Sequence, residues 1–236
     1  MKITFKGFPW PHIIEDNFLK QTDFRELLDI STTLPTGHDN QVIVASSIIS
    51  IDGRIEKIAE GISEALLKSI HRNCNEKLVE HLKALAPQKV ELYDYSIISI
   101  LRTGKNYSYR IHDDVAEKLL SVVVYIDPED NRGTLCYKSP SKKSFVYEVP
   151  WKQNRALVFS RLGRRTWHSY CGDKENQRIT LVYNLMTRHP IKAIKSEVRY
   201  PLSLVCLPDT TYIAYLRDLP FRIRGYLKKI ILAAIK

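Results

Sequence analysis

From residue 90 onward the chain reads as a series of short runs rich in Val, Ile, Leu and Tyr: 90–101, 120–126, 134–137, 144–149, 155–159 and 178–185. Polar connections separate them, among them Asp127-Pro-Glu-Asp-Asn-Arg-Gly133 and Gly172-Asp-Lys-Glu-Asn176. Short strands at this spacing predict a sandwich or a barrel. Ahead of them, Ile58, Ile62, Leu66, Leu67, Ile70, Leu78, Leu82 and Leu85 recur at three and four across 55–85, which predicts helix, and Pro87 stops it. Pro9 and Pro11 hold the opening segment extended until a helix expected near 20–29. The segment 41–51, rich in Val, Ile and Ser, suits a strand or the start of a helix. The expected class is α+β with a mainly β core and helices packed on it.

A chain of 236 residues that is 44% hydrophobic can bury one large core, and a single domain over 1–236 is expected. Cys74, Cys136, Cys171 and Cys206 form no C-x-x-C pair, so they read as free thiols of a reducing compartment rather than a zinc ribbon or disulfide frame. The first twenty residues, broken by Pro9, Pro11, Glu15 and Asp16, contain no signal-peptide apolar region, and a cytoplasmic location is expected. The net charge of +10 favours anionic partners, and half of it lies in Arg217, Arg222, Arg224, Lys228, Lys229 and Lys236 against Asp218.

Chemistry concentrates in Tyr109-Arg-Ile-His112-Asp-Asp114. On a strand, residues two apart share a face, so His112 and Asp114 point one way and Asp113 the other. Residues 56 further on are Trp167-His168, and ten after that Arg178 opens a run whose alternation sets Arg178, Thr180, Val182 and Asn184 against Ile179, Leu181 and Tyr183. Two imidazoles and one carboxylate form the facial triad of non-haem Fe(II) oxygenases, with positions open for substrate and oxygen. A guanidinium on such a strand is costly to bury alone and is the natural bidentate partner of a carboxylate. An isolated H-x-D is more often a polar turn, and it is the order of the set that carries weight.

That order resembles the Fe(II)- and 2-oxoglutarate-dependent dioxygenases, in particular their prolyl-4-hydroxylase-like branch. The resemblance spans about 107–186: Tyr109-x-x-His112-x-Asp114, a strand ending Val124-Tyr125-Ile126, Gly133-x-Leu135, Trp167-His168 and Arg178. The opening Pro9-Trp-Pro-His-Ile-Ile-Glu-Asp-Asn-Phe18 is similar to the lead-in of many members. It implies a double-stranded β-helix, a distorted jelly roll, with N-terminal support over 1–88, a catalytic core over 89–188 and an extension over 189–236. It also implies Fe(II) held by His112, Asp114 and His168, 2-oxoglutarate as co-substrate with its far carboxylate on Arg178 assisted by Tyr125 and Thr180, and O2 as oxidant. Succinate and CO2 would be co-products of a hydroxylation. Tyr109, Arg110, Trp167 and Asn184 are candidates for the substrate pocket, although strict alternation turns Tyr109 away from the ligands.

The substrate class stays open among a peptidyl proline, a small molecule, and a glycan or lipid intermediate. The loop 138–143 and Arg161, Arg164 and Arg165 form either a solvated basic face or a capture surface for an anionic substrate. Aromatic residues there are too few for base stacking, which disfavours nucleic acid. After Pro220, Ile223, Leu227, Ile230, Ile231 and Ala234 line one helical stripe, suited to packing on its own domain, to a second subunit or to peripheral contact with a membrane. A catalytically silent β-helix that binds a metal or small molecule is the competing function. The sequence contains neither a P-loop nor a dinucleotide fingerprint.

Overall fold

The computed structural model describes residues 2–33 and 38–198. In chain order these form β1 (Lys2–Lys6), β2 (His12–Asp16), α1 (Gln21–Thr33), β3 (Val42–Ser50), β4 (Ile55–Lys57), α2 (Glu64–Leu85), β5 (Tyr95–Thr103), β6 (Ser108–His112), β7 (Lys118–Asp127), β8 (Leu135–Tyr137), β9 (Phe145–Glu148), β10 (Arg155–Phe159), β11 (His168–Cys171), β12 (Arg178–Met186) and α3 (Pro190–Val198). The strands make two antiparallel sheets. One has the order β1-β2-β10-β7-β12-β5-β3-β4, the other β6-β11-β8-β9.

Period-two alternation divides the core in two. On β7, β10 and β12 the residues Leu120, Val122, Val124, Ala156, Val158, Ile179, Leu181 and Tyr183 bury against Phe24 and Leu27 of α1 and Leu66, Leu67, Ile70 and Leu78 of α2. The intervening residues Tyr125, Leu157 and Phe159 face the other way. They pack with Trp10, Val149 and Cys136, the last from the smaller sheet. The larger sheet is therefore apolar on both faces, with helices behind it and the second sheet in front, and the second interface is where the polar candidates collect.

Two local readings need correction. Residues 55–57 pair with β3 rather than joining the helix. Gly53, at φ 84°, turns the chain back, and the Ser63 hydroxyl accepts the Leu66 N–H at 3.0 Å to start α2 at Glu64. Residues 87–92 form a 3-10 turn with Pro87 at its start, so the first long strand begins at Tyr95 instead of 90. The extended lead-in pairs as β1 and β2, with β2 joining β10 in register from Asp16 opposite Arg155 to His12 opposite Phe159. The segment 41–51 resolves as the strand β3. The apolar stripe after Pro220 and Cys206 lie outside the described residues, within which Cys74, Cys136 and Cys171 are free.

Candidate metal centre

Strands β6 and β11 bring two histidines face to face. His168 lies opposite His112 in the ladder, with ring centroids 4.3 Å apart. Asp114 completes the group, and one ligand atom from each of the three lies within 4.8 Å of the others, so the set could hold a metal ion. The reason differs from alternation, because β6 ends at His112 and Asp114 belongs to the connection into β7. Its carboxylate is placed from β7, where the Ser121 hydroxyl donates to one oxygen at 2.5 Å and the Lys118 ammonium to the other at 2.7 Å.

Both imidazoles are prepared in the same way. His112 Nδ1 lies 2.9 Å from the Arg110 carbonyl and His168 Nδ1 2.8 Å from that of Thr166. A carbonyl only accepts, so Nδ1 carries the proton and the Nε2 lone pair of each neutral ring is left for a metal. Burial, helped by the neighbouring His168, lowers the His112 pKa to about 4, and burial lowers that of His168 as well. Burial pushes the Asp114 carboxyl up, but Lys118, His168 and the Ser121 hydroxyl outweigh it and hold the group well below the usual carboxylate range. At neutral pH the donors are two neutral imidazoles and one carboxylate, the mixed N/O set that suits Fe(II).

Arg178 enters the same inter-sheet space at the start of β12. It is 7% exposed, its guanidinium carbon sits 3.3 Å from the Tyr170 ring centroid and 6.0 Å from that of Trp151, and burial lowers its pKa. Nη1 donates to the Arg132 carbonyl at 3.4 Å, while Nε has no partner among the described residues, and no described carboxylate lies within ion-pair distance. Tyr125 stacks on Trp151 at 4.5 Å and exchanges hydrogen bonds with Thr134, at 3.1 Å to the hydroxyl and 2.9 Å from the amide. Thr180 lies opposite Tyr125, and Asn184 opposite Ser121 with its Oδ1 unpartnered among the described residues. The β12 face thus leads from the cation at one end to the neighbour of Asp114 at the other.

Other candidates fall differently. The Tyr109 ring lies 5.1 Å from His112 and is 40% exposed, contrary to the expectation that it turns away. A register shift in the β6–β11 ladder sets one residue of β11, Ser169, against two of β6, Arg110 and Ile111, which moves Tyr109 onto the side of His112. The Arg110 side chain is exposed, and Trp167 is half-buried with its carbonyl accepting the Tyr137 N–H. Arg161, read with the surface charges, is 2% exposed and ion-paired, whereas Arg165, Lys138, Lys142 and Lys143 are exposed. Ser121, Lys118, Tyr170 and Trp151 were not singled out from the sequence. Ser121 had a readable signal as the polar residue in an apolar run, and Tyr170 as the residue two beyond His168.

No protein family model matches the sequence, and no curated protein matches it. Solved structures do. An oxidoreductase of the 2OG-Fe(II) oxygenase family from Burkholderia pseudomallei is 13% identical and aligns over 76% of this chain and 85% of its own, with a TM-score of 0.51. A Pseudomonas putida prolyl-4-hydroxylase is 15% identical over 74% of this chain and 91% of its own, at a TM-score of 0.46. A Trichoplax adhaerens prolyl hydroxylase is 14% identical over 78% and 84%, at 0.46. The likeness to the Burkholderia protein shows that this chain shares that protein's fold, and at that identity it says nothing of substrate.

Proposed function

We propose that the chain is a single-domain Fe(II)- and 2-oxoglutarate-dependent dioxygenase with a double-stranded β-helix core, hydroxylating a peptide or small-molecule substrate. One observation carries the reading. A group of three residues that could hold a metal ion shares an inter-sheet space with a buried guanidinium that lacks a carboxylate partner among the described residues. A buried cation without a counter-charge is expensive, and an anionic ligand entering that space would relieve it. The residues fit a metal because both Nε2 atoms are unprotonated and the carboxylate is ionised.

In this reading His112, Asp114 and His168 ligate the iron, which when bound supplies oxygen activation coupled to decarboxylation of the oxo acid. Arg178 takes the far carboxylate of 2-oxoglutarate, held in orientation by the faces of Tyr170 and Trp151. Tyr125 and Thr180 line the same path from opposite strands. Tyr125 is turned toward Thr134, so its hydroxyl would reach the ligand by rotating away from that residue or through it. The apolar cluster of Trp10, Leu157 and Phe159 excludes water beside His168, whose ring meets Phe159 at 4.8 Å. Substrate approaches past the half-open Tyr109 ring, with Asn184 deeper along β12.

Anaerobic titration of the metal-free protein with Fe(II) and then 2-oxoglutarate tests this. A weak visible charge-transfer band that is lost in His112→Ala is expected. Absence of both iron and 2-oxoglutarate binding by the wild-type protein would overturn the reading in favour of a silent fold.

A further inference from the structure

Behind the metal ligands, four charged side chains are buried together. Glu197 of α3 accepts the Lys89 ammonium at 2.8 Å, Arg161 Nη1 at 3.1 Å on each oxygen, and the Gly163 N–H at 3.0 Å. Arg161 in turn sets Nε 3.5 Å from Asp113. Asp113 also accepts the Thr166 hydroxyl. Lys89 further contacts the Ser160 hydroxyl and the Arg161 carbonyl, and Ser160 donates to the Leu119 carbonyl on β7. Lys89 and Arg161 are 0% and 2% exposed, Glu197 is 6% exposed, and the Asp113 side chain is 6% exposed.

Two cations and two anions taken out of water are poor value for stability alone, since well-packed apolar residues serve as well. Their location supplies another role. Asp113 is bonded covalently to both His112 and Asp114, and it fixes Thr166, whose carbonyl sets the tautomer of His168. All three ligands are thus referred to one carboxylate, and that carboxylate is referred through Arg161 to a helix outside both sheets.

We propose that Asp113, Arg161 and Glu197 form a positioning clamp that couples docking of α3 to the arrangement of the metal ligands, making α3 part of the metal centre. The proposal rests on the metal-binding reading of His112, Asp114 and His168. Outer partners that orient ligands carry about 10- to 100-fold in metal affinity, and coupling between two sites is reciprocal. Metal must therefore tighten α3 by the factor that α3 lends to the metal.

The test uses the full chain, metal-free and anaerobic, with Co(II) as probe. In the wild-type protein Co(II) should slow amide exchange across 190–198, by up to about the 10- to 100-fold that an outer partner carries. Asp113→Asn should weaken Co(II) binding about 10- to 100-fold and, at saturating Co(II), abolish the slowing in α3. Arg161→Lys, which keeps the charge, should retain more affinity than Arg161→Met. Exchange in α3 that is indifferent to bound Co(II) in the wild type overturns the clamp and leaves the metal site standing, and this arm needs no variant to fold. Wild-type affinity in a folded Asp113→Asn protein also overturns it. Failure of the wild type to bind Co(II) removes both the metal reading and the clamp.

Discussion

Replacing Arg178 with methionine should move stability and binding in opposite directions. Without ligand, the wild-type guanidinium is buried with one long hydrogen bond and no carboxylate partner among the described residues. An unpaired buried cation costs several kcal/mol, and stacking on Tyr170 returns about 1 to 2 kcal/mol. Methionine carries no such penalty and gains about 1.5 to 3 kcal/mol by burial. The metal-loaded, ligand-free Arg178→Met protein should therefore be more stable than wild type, by about 1 to 3 kcal/mol once imperfect repacking is allowed for. Removing one partner of a buried, hydrogen-bonded charge pair costs about 2 to 5 kcal/mol of binding, which is roughly 30-fold to several thousand-fold in the 2-oxoglutarate Kd. Urea unfolding with Mn(II) present, with and without 2-oxoglutarate, reads both effects. At 100 times its wild-type Kd the ligand should add about 2.7 kcal/mol to the wild type and about 0.9 kcal/mol or less to the variant. A variant that is less stable than wild type without ligand, or that gains equally from 2-oxoglutarate, would refute the argument that this cation waits for an anion.

Asp114→Asn should weaken Co(II) binding by more than the about 100-fold that an outer partner carries, because it removes a donor and leaves Lys118 facing the metal, as spectrophotometric titration would show. Gly133→Ala would set a Cβ 1.7 Å from the Val149 carbonyl oxygen and 3.3 Å from the Tyr125 hydroxyl, so a loss near the top of the overpacking range, about 3 kcal/mol, is expected in chemical denaturation. Asp16, hydrogen-bonded by Arg155 and Lys152, has its pKa lowered to about 2 against an ordinary 3.8. Its contribution is fully present above about pH 4 and is lost as pH falls through about 2. It should amount to on the order of 1 kcal/mol after solvent screening and shrink in Arg155→Met, where only Lys152 remains, as stability measured against pH would reveal. Leu181→Ala, at 1% exposure between β12 and the helices, should cost about 3 to 4 kcal/mol by the same assay.

Much of the fold was legible because the long strands obey simple patterning. The expected runs 120–126 and 178–185 sit inside β7 and β12, and 155–159 coincides with β10. The alternation on β12 sends Ile179, Leu181 and Tyr183 to the helical side and leaves Arg178, Thr180 and Asn184 for the other, as read. What stayed hidden depended on partners distant in sequence. Nothing local shows that 12–16 will find β10 some 140 residues later, or that 55–57 will pair with β3 against a helical period. The roles of Ser121 and Lys118 also arise only when β7 returns beneath the connection that carries Asp114.

The misreadings near the candidate site share a physical cause. Strict alternation turned Tyr109 away from the histidines, and the bulge opposite His168 brings it back. The same rule placed Asp114 on a strand, yet the strand stops at His112 and the carboxylate arrives from the irregular connection after it. A continuous ladder holds neighbouring side chains in fixed rows, and ligands around one ion must instead converge on a point. Breaking the ladder at His112 and shifting it beside His168 converts two rows into a convergent set, and the stabilisation given up there is replaced by hydrogen bonds from Ser121 and Lys118 and by that from His168 to the Thr166 carbonyl. Departures from regular pairing gathered at one place, next to a buried arginine without a carboxylate partner among the described residues, are what the proposed metal and co-substrate site requires.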